Sequence, residues 1–329
     1  MNSKKDKQIN LIFFLAGLAM LGYLVYDFGP FQLWREILKT GWWMFPITAL
    51  WLVIYILNTI AWNIILGRDT KVSFRHLLSL KISGFAINYL TPVVGLAGEP
   101  WKVMNIRRLI GIEKASASII LYNLMHILSH FFFWVTAIFL VFMSIRPTTA
   151  TYILLGLLLA VLLWVIAIIY RWYRKGIVFS FMHFLRRLPF LKKTVTKILS
   201  KQDTLQEIEN QVVAFYNTRK NSFYKTLAAE FIARIVGSVE FWFIMKAISL
   251  DIDLVHAIYI SAASSLLANL FFFIPLQLGT REGSLYLVYD SLRFTPGLGI
   301  FVSIVTRIRE FFWIFIGLIL MRFQPRQEL

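Results

Sequence analysis

Cysteine is absent from this chain of 329 residues. Disulfides, thiolate catalysis and cysteine-ligated zinc or iron–sulfur centres are therefore excluded, and the redox compartment cannot be read. Nucleotide-handling motifs are missing as well: there is no GxxxxGK phosphate-binding loop, no GxSxG nucleophile elbow and no glycine-rich dinucleotide turn, so ATP hydrolysis within this chain is not expected. His126 and His130 share a helix face, but Ile127-Leu128-Ser129 between them lacks the glutamate of a zinc hydrolase. Aromatic packing with Phe131 to Trp134 is context enough for them, and no metal or cofactor is expected. A nucleic-acid motif is also lacking, although the formal net charge is +17 and the pI about 10.1, so the basic residues need another explanation.

A bilayer supplies it. Hydrophobic residues make up 58% of the chain and the mean hydropathy is +0.68, well above a soluble domain of mixed polarity. A hydrocarbon core of roughly 30 Å needs about 20 apolar residues in a helix, and six segments meet that length: 9–28, 43–66, 115–143, 150–170, 223–248 and 298–321. The run after Lys4, Lys5 and Lys7 exceeds the apolar stretch of a secretion signal and reads as a retained first helix. Lys and Arg gather before the first span, after the second (Arg68, Lys71, Arg75) and through 171–222, which holds eleven of them. The loops 29–42, 144–149 and 249–253 are poorer in positive charge. By the positive-inside rule the basic loops and both termini are cytoplasmic, with the chain multi-pass in the cell (inner) membrane. The segment 171–222 mixes Phe179, Phe181 and Phe184 with basic residues, which predicts amphipathic helices on the inner surface; a solvated linker remains the other reading for 202–211.

Two further apolar stretches, 76–110 and 254–292, are broken in the middle. The first carries Pro92, Gly95, Gly98 and Glu99; the second carries Pro275, Gly279, Arg281 and Glu282. Proline removes a helix donor and glycine permits non-helical backbone, so each stretch reads as two half-helices joined by a turn at membrane depth. Counting crossings, the first hairpin enters from the cytoplasm and the second from outside. The expected fold class is therefore an all-α polytopic membrane protein with six full helices and two re-entrant hairpins. It forms one membrane domain over 1–329, in which 43–143 and 223–321 are inverted-topology repeats, the arrangement whose broken segments mark a transport site.

Glu99 and Glu282 each fall near the start of the second half-helix of a hairpin, where the helix dipole favours an anion. They read as ligands for a cation, a proton or a polar headgroup, or as capping carboxylates in an interfacial loop. Glu230 with Arg234, and Arg307 with Glu310, have the spacing for same-face pairs, with Glu240 and Arg309 nearby. Structural pairing competes here with a second reading, in which arginines with few acids around them keep positive potential for a phosphate. Lys102, Arg107 and Arg108 follow the first hairpin, either collecting anionic headgroups or setting topology.

These motifs resemble the lysylphosphatidylglycerol synthase transmembrane region, or flippase-like, family over most of the chain. Pro92, Gly95 and Gly98-Glu99, with Arg107 or Arg108 and Gly111 downstream, are similar to the family's Pro-x-x-Gly-x-x-Gly-Glu segment. Ile274-Pro275-x-x-x-Gly279-x-Arg281-Glu282-Gly283 is similar to its Ile-Pro-Gly-Gly-x-Gly-x-Arg-Glu, and Arg307 falls where the last helix usually has an arginine. Many members have Glu-Arg followed by Asp after the first hairpin, where this chain has Tyr122, Asn123 and His126. No synthase domain follows the last helix before Leu329, so the resemblance implies the flippase-like half without the aminoacyl transfer.

The expected function is movement of a lipid, a phospholipid or a polyprenyl-linked one, between leaflets without ATP hydrolysis. Membrane lipids with anionic or zwitterionic headgroups are the expected partners, nucleic acid is not, and a second copy or a lipid-modifying enzyme is a candidate companion. Glu99, Arg107, Arg234, Arg281, Glu282 and Arg307 are the expected headgroup ligands, with no catalytic residue. Alternatives are a secondary transporter of a small anion, or a protein that presents lipid to a membrane glycosyl- or acyltransferase.

Overall fold

The computed structural model describes residues 15, 26, 29–67, 70, 72–91, 97–144, 149–186, 196, 202–271, 277, 279–295 and 297–322. Most of the predicted span 9–28 and the breaks at Pro92, Gly95 and Pro275 lie outside the described residues. Among those described the chain is helical, with no strand.

Helix α1 (Pro30–Thr40) starts on a proline, whose missing N–H is no loss in a first turn. The sequence reading placed 29–42 in a loop; it missed this helix because the segment is too short and polar to resemble a span. A single 3₁₀ turn then leads into α2 (Met44–Leu66). Helices α3 (Phe74–Leu90) and α4 (Gly98–Ile110) occupy the first predicted hairpin. They are followed by α5 (Ile112–Ser144), α6 (Thr149–Lys175), α7 (Ile177–Arg186), α8 (Gln202–Thr218) and α9 (Lys220–Ala247). Helices α10 (Leu254–Leu270) and α11 (Thr280–Ser291) occupy the second hairpin, and α12 (Gly297–Arg322) ends the described chain.

Lengths sort these helices. Three stretches, 34–66, 112–143 and 152–171, are long and apolar enough to cross a membrane. Helices α9 and α12, at 28 and 26 residues, span about 42 and 39 Å at 1.5 Å per residue, but every 18-residue stretch of either carries at least three charges. By contrast α3, α4, α10 and α11 have 17, 13, 17 and 12 residues. At about 18 to 25 Å each, none covers a hydrocarbon core of roughly 30 Å.

The chain divides into two compact units that interleave along the sequence. The first contains residues 1–59, 73–102 and 233–329. In it α12 packs against α3, α11 and α1, and α11 packs against α10. Its apolar core gathers Ile47, Ile244, Tyr289 and Val302, and a smaller cluster joins Tyr55, Ile82 and Trp313. Backbones approach closely where α12 crosses its neighbours. A Cβ on Gly317 would stand 2.7 Å from the Ile82 carbonyl oxygen, and one on Gly299 2.6 Å from the Leu285 carbonyl carbon.

The second unit contains 60–72 and 103–232, and in it α8 packs on α5, α6 and α7. Residues 202–211, for which a solvated linker was one reading, belong to α8, whose Leu205, Ile208, Val212 and Phe215 are buried. The Arg219 guanidinium donates to the Ile64 and Ile65 carbonyls, 2.8 Å each, closing the end of α2. Helix α6 turns Ile153, Leu154, Leu157 and Trp164 outward. A face this apolar has no stable partner in water and matches acyl chains.

The glycine contacts can be tested directly. Gly317→Ala should lower the unfolding midpoint in detergent by an amount equivalent to roughly 1–3 kcal/mol, the cost of overpacking a close contact. Gly156→Ala, whose added Cβ meets nothing within 4 Å, should leave the midpoint unchanged or raise it. Equal effects at both positions would show that the close crossing is not what holds α12.

Candidate functional site

Helix α11 begins with Thr280, Arg281 and Glu282 after Gly279, which has φ +76, a left-handed conformation that glycine adopts freely. Glu282, at the third helical position, reaches back so that its Oε2 accepts the Gly279 N–H at 2.9 Å. Its other oxygen faces α12. Oε1 accepts from Arg307 Nε (2.9 Å) and Nη2 (2.7 Å) and from Ser303 Oγ (2.8 Å). The capping reading of Glu282 therefore holds, and the same carboxylate also makes an ion pair across the helix interface.

Arg307 is almost wholly enclosed. Beyond Glu282, its Nη1 donates to the Tyr89 hydroxyl at 3.2 Å and its Nη2 to the Gln277 carbonyl at 3.4 Å. Through its hydroxyl, Tyr89 ties α3 to the middle of α12. Gln277 has φ +52, a backbone conformation costly for a residue with a side chain, at a place where the family pattern has glycine. Its side-chain oxygen lies 3.4 Å from Arg281 Nη2.

A second set of pairs continues from the first. Arg281 Nη1 donates to Glu310 Oε2 at 2.8 Å, and Arg309 Nη1 lies 3.7 Å from Glu310 Oε1. Arg309 donates through Nε and Nη2 to the two oxygens of Glu240, at 2.9 and 3.1 Å, a bidentate contact with both side chains buried. Trp51 completes it, donating its indole N–H to Glu240 Oε2 at 3.0 Å and placing its ring 3.6 Å from the Arg309 guanidinium carbon. Arg281, Arg307 and Arg309 thus face Glu240, Glu282 and Glu310, three charges of each sign.

This corrects one sequence expectation. Arg307 and Glu310 do not pair with each other along α12, because Glu282 and Arg281 on α11 give each a shorter partner across the helix interface. Of the two readings of these arginines, structural pairing is the one seen among the described residues, since three carboxylates meet the three guanidinium groups. Glu230, which has the spacing to pair with Arg234, also makes a 2.6 Å bond to His126 Nδ1. His126 in turn stacks on Tyr122 and meets His130 edge-on. Thus His126, at the position where the family pattern differs, supplies a partner to a buried acid.

The surroundings of the other predicted residues are as follows. Glu99 Oε1 accepts from Lys102 Nζ at 2.7 Å and Asn88 Nδ2 at 3.3 Å, while Asn88 Oδ1 takes the Gly98 N–H at 2.6 Å. A Cβ on Gly98 would sit 2.4 Å from the Gly84 carbonyl oxygen, so this junction of α3 and α4 requires glycine. Arg107 lies in the last turn of α4, and Arg234 is half-buried on α9. Pro92, Gly95 and Pro275 are outside the described residues. Sequence reasoning missed Tyr89, Trp51, Ser303, Gln277 and Asn88. Their one signal is a hydrogen-bonding group inside or beside an apolar helix, shared with many core residues.

The family model described as lysylphosphatidylglycerol synthase TM region matches residues 9–317, which include every member of this network. No curated protein and no solved structure matches the chain.

Because removing one partner of a buried ion pair strands the other, Arg309→Met or Glu240→Leu alone should each cost about 3–5 kcal/mol. The double variant should cost clearly less than the two losses added, as read from unfolding midpoints in detergent. Additive losses would show that the pair contributes nothing as a pair.

Proposed function

The chain belongs to the lysylphosphatidylglycerol synthase TM region family, membrane-embedded proteins of lipid metabolism or flippase type, and we propose that it moves a lipid headgroup between leaflets at the arginine–glutamate network without hydrolysing nucleotide. The observation that carries this reading is the network itself: three arginines and three glutamates gathered on α9, α11 and α12, four of the six buried. A charge at the bilayer centre costs at least about 2.5 kcal/mol on insertion scales, and buried ion pairs can often be replaced by apolar residues of similar volume without loss of stability. Stability alone therefore gives little reason to keep six charges there. A polar path for a headgroup gives one.

In this reading the short helices α10 and α11 supply an interrupted segment at membrane depth, with the N-terminus of α11 directed at the polar site. The pair α3 and α4, with Glu99 and Lys102, is its counterpart in an inverted repeat, and both termini are cytoplasmic in the inner membrane. An inside-negative potential of 100 mV contributes about 2.3 kcal/mol per charge, which drives an anionic headgroup outward. Equal numbers of acids and bases favour a lipid headgroup over a small free anion, which a surplus of positive charge would hold better. The protein acts as a carrier and performs no bond chemistry.

Reconstituted in liposomes, the purified protein should speed the dithionite-accessible flipping of fluorescent phospholipid. Glu282→Gln or Arg307→Ala should slow it at least tenfold while the helical circular dichroism persists. Wild-type protein that leaves flipping at the protein-free rate, under both a potential and a pH gradient, would overturn the proposal.

A further inference from the structure

The two ion pairs at the start of α11 are exposed unequally, and in opposite senses. In the first, Glu282 keeps 27% of its side chain exposed while Arg307 keeps 1%. In the second, Arg281 keeps 21% while Glu310 keeps 6%. Arg281 and Glu282, consecutive residues of a single helical turn, are thus the partly exposed members of the two pairs, each held by a buried counter-charge.

Both partly exposed groups have capacity left. Among the described residues the hydrogen bonds of Arg281 go to Glu310 and Gln277, two of the five N–H donors a guanidinium carries. Glu282 concentrates three bonds on Oε1, whereas Oε2 accepts a single backbone N–H, and a carboxylate oxygen has two acceptor sites.

We infer that this edge is a binding site for a zwitterionic headgroup, with the phosphate on Arg281 and the ammonium on Glu282. This deepens the transport reading by naming its substrate class, and rests on it only for the step that follows binding. An anionic headgroup with hydroxyl groups in place of the ammonium would satisfy Arg281 but offer Glu282 only neutral donors, giving up the charge-assisted bond that an ammonium makes. A headgroup with both charges meets both groups, and leaves Arg307 and Glu310 bonded as they stand.

Binding is read apart from transport by placing the protein in nanodiscs of equimolar phosphatidylethanolamine and phosphatidylglycerol, releasing it into detergent and counting retained lipids by native mass spectrometry. Wild-type protein should retain phosphatidylethanolamine about tenfold over phosphatidylglycerol, the contribution of one charge-assisted hydrogen bond. Glu282→Gln should erase or reverse that preference. Should that variant not fold, Arg281→Gln tests the same edge from its other side, and should strip phosphatidylglycerol more completely than phosphatidylethanolamine. Soluble glycerophosphoethanolamine, in a further arm, displaces the lipid where the headgroup alone is recognised and leaves it bound where acyl chains are needed. Equal retention of both lipids by wild-type protein, or an unchanged preference in the variants, would overturn the inference. A preference for phosphatidylethanolamine without any flipping would uphold the site and reject transport, and flipping without preference would do the reverse.

Discussion

The Glu282–Arg307 bond joins two helices and satisfies two requirements at once. Arg307 sits in the middle of α12, where an uncompensated guanidinium could not stay buried, and Glu282 stands at the start of α11, where a carboxylate also closes the first turn. Once that bond is made, the positions of its neighbours follow. Ser303 lies one turn before Arg307 and donates to the same oxygen; Glu310, nearly a turn after it, turns to Arg281. Arg309, whose Nη1 lies beside Glu310, is anchored by Glu240 from α9 and by the face of Trp51 from α2. Buried charges are costly unless paired, and here Glu282–Arg307, Arg281–Glu310 and Glu240–Arg309 pair across helix interfaces, while Arg309 and Glu310 meet along α12.

Close backbone contacts make those interfaces short enough for the bonds to form. Gly317 and Gly299 let α12 lie against α3 and α11, and Gly98 lets the start of α4 meet Gly84 of α3. Without a water-driven hydrophobic effect between helices in a bilayer, packing of this kind and interhelical hydrogen bonds are the available attractions. The small residues and the charged network therefore belong to one design, since the first sets the separations that the second needs. Helix α6 shows the opposite pattern, with bulky side chains turned outward and a composition suited to acyl chains.

Much of this was legible in the sequence. Hydropathy located the long helices to within a few residues, because the signal of about 20 apolar residues is strong and local. The interruptions of the two apolar stretches were visible through Gly98 and Gly279, and α4 and α11 begin at or just after those positions. Arg281, Glu282 and Arg307 stood out, together with Glu99, Arg107 and Arg234, because charge is rare beside such apolar stretches. Their partners did not, since Glu282 and Arg307 are 25 residues apart and spacing rules see only neighbours within a helix. That is why Arg307 was matched with Glu310, and why Tyr89, more than two hundred residues away in sequence, left no trace. Helix α1 escaped for a different reason: its 11 residues are too few for a span, and its charges resembled a loop.

The central claim is that the partly exposed edge of the network, Arg281 beside Glu282, receives a headgroup while the Glu282–Arg307 bond holds. Cryo-electron microscopy of the protein in nanodiscs of phosphatidylethanolamine measures this most directly. The account predicts headgroup density with its phosphate against Arg281 and its amine against Glu282, and an intact bond from Glu282 to Arg307. Acyl-chain density packed over that edge, with every resolved headgroup at the bilayer surfaces, would contradict it.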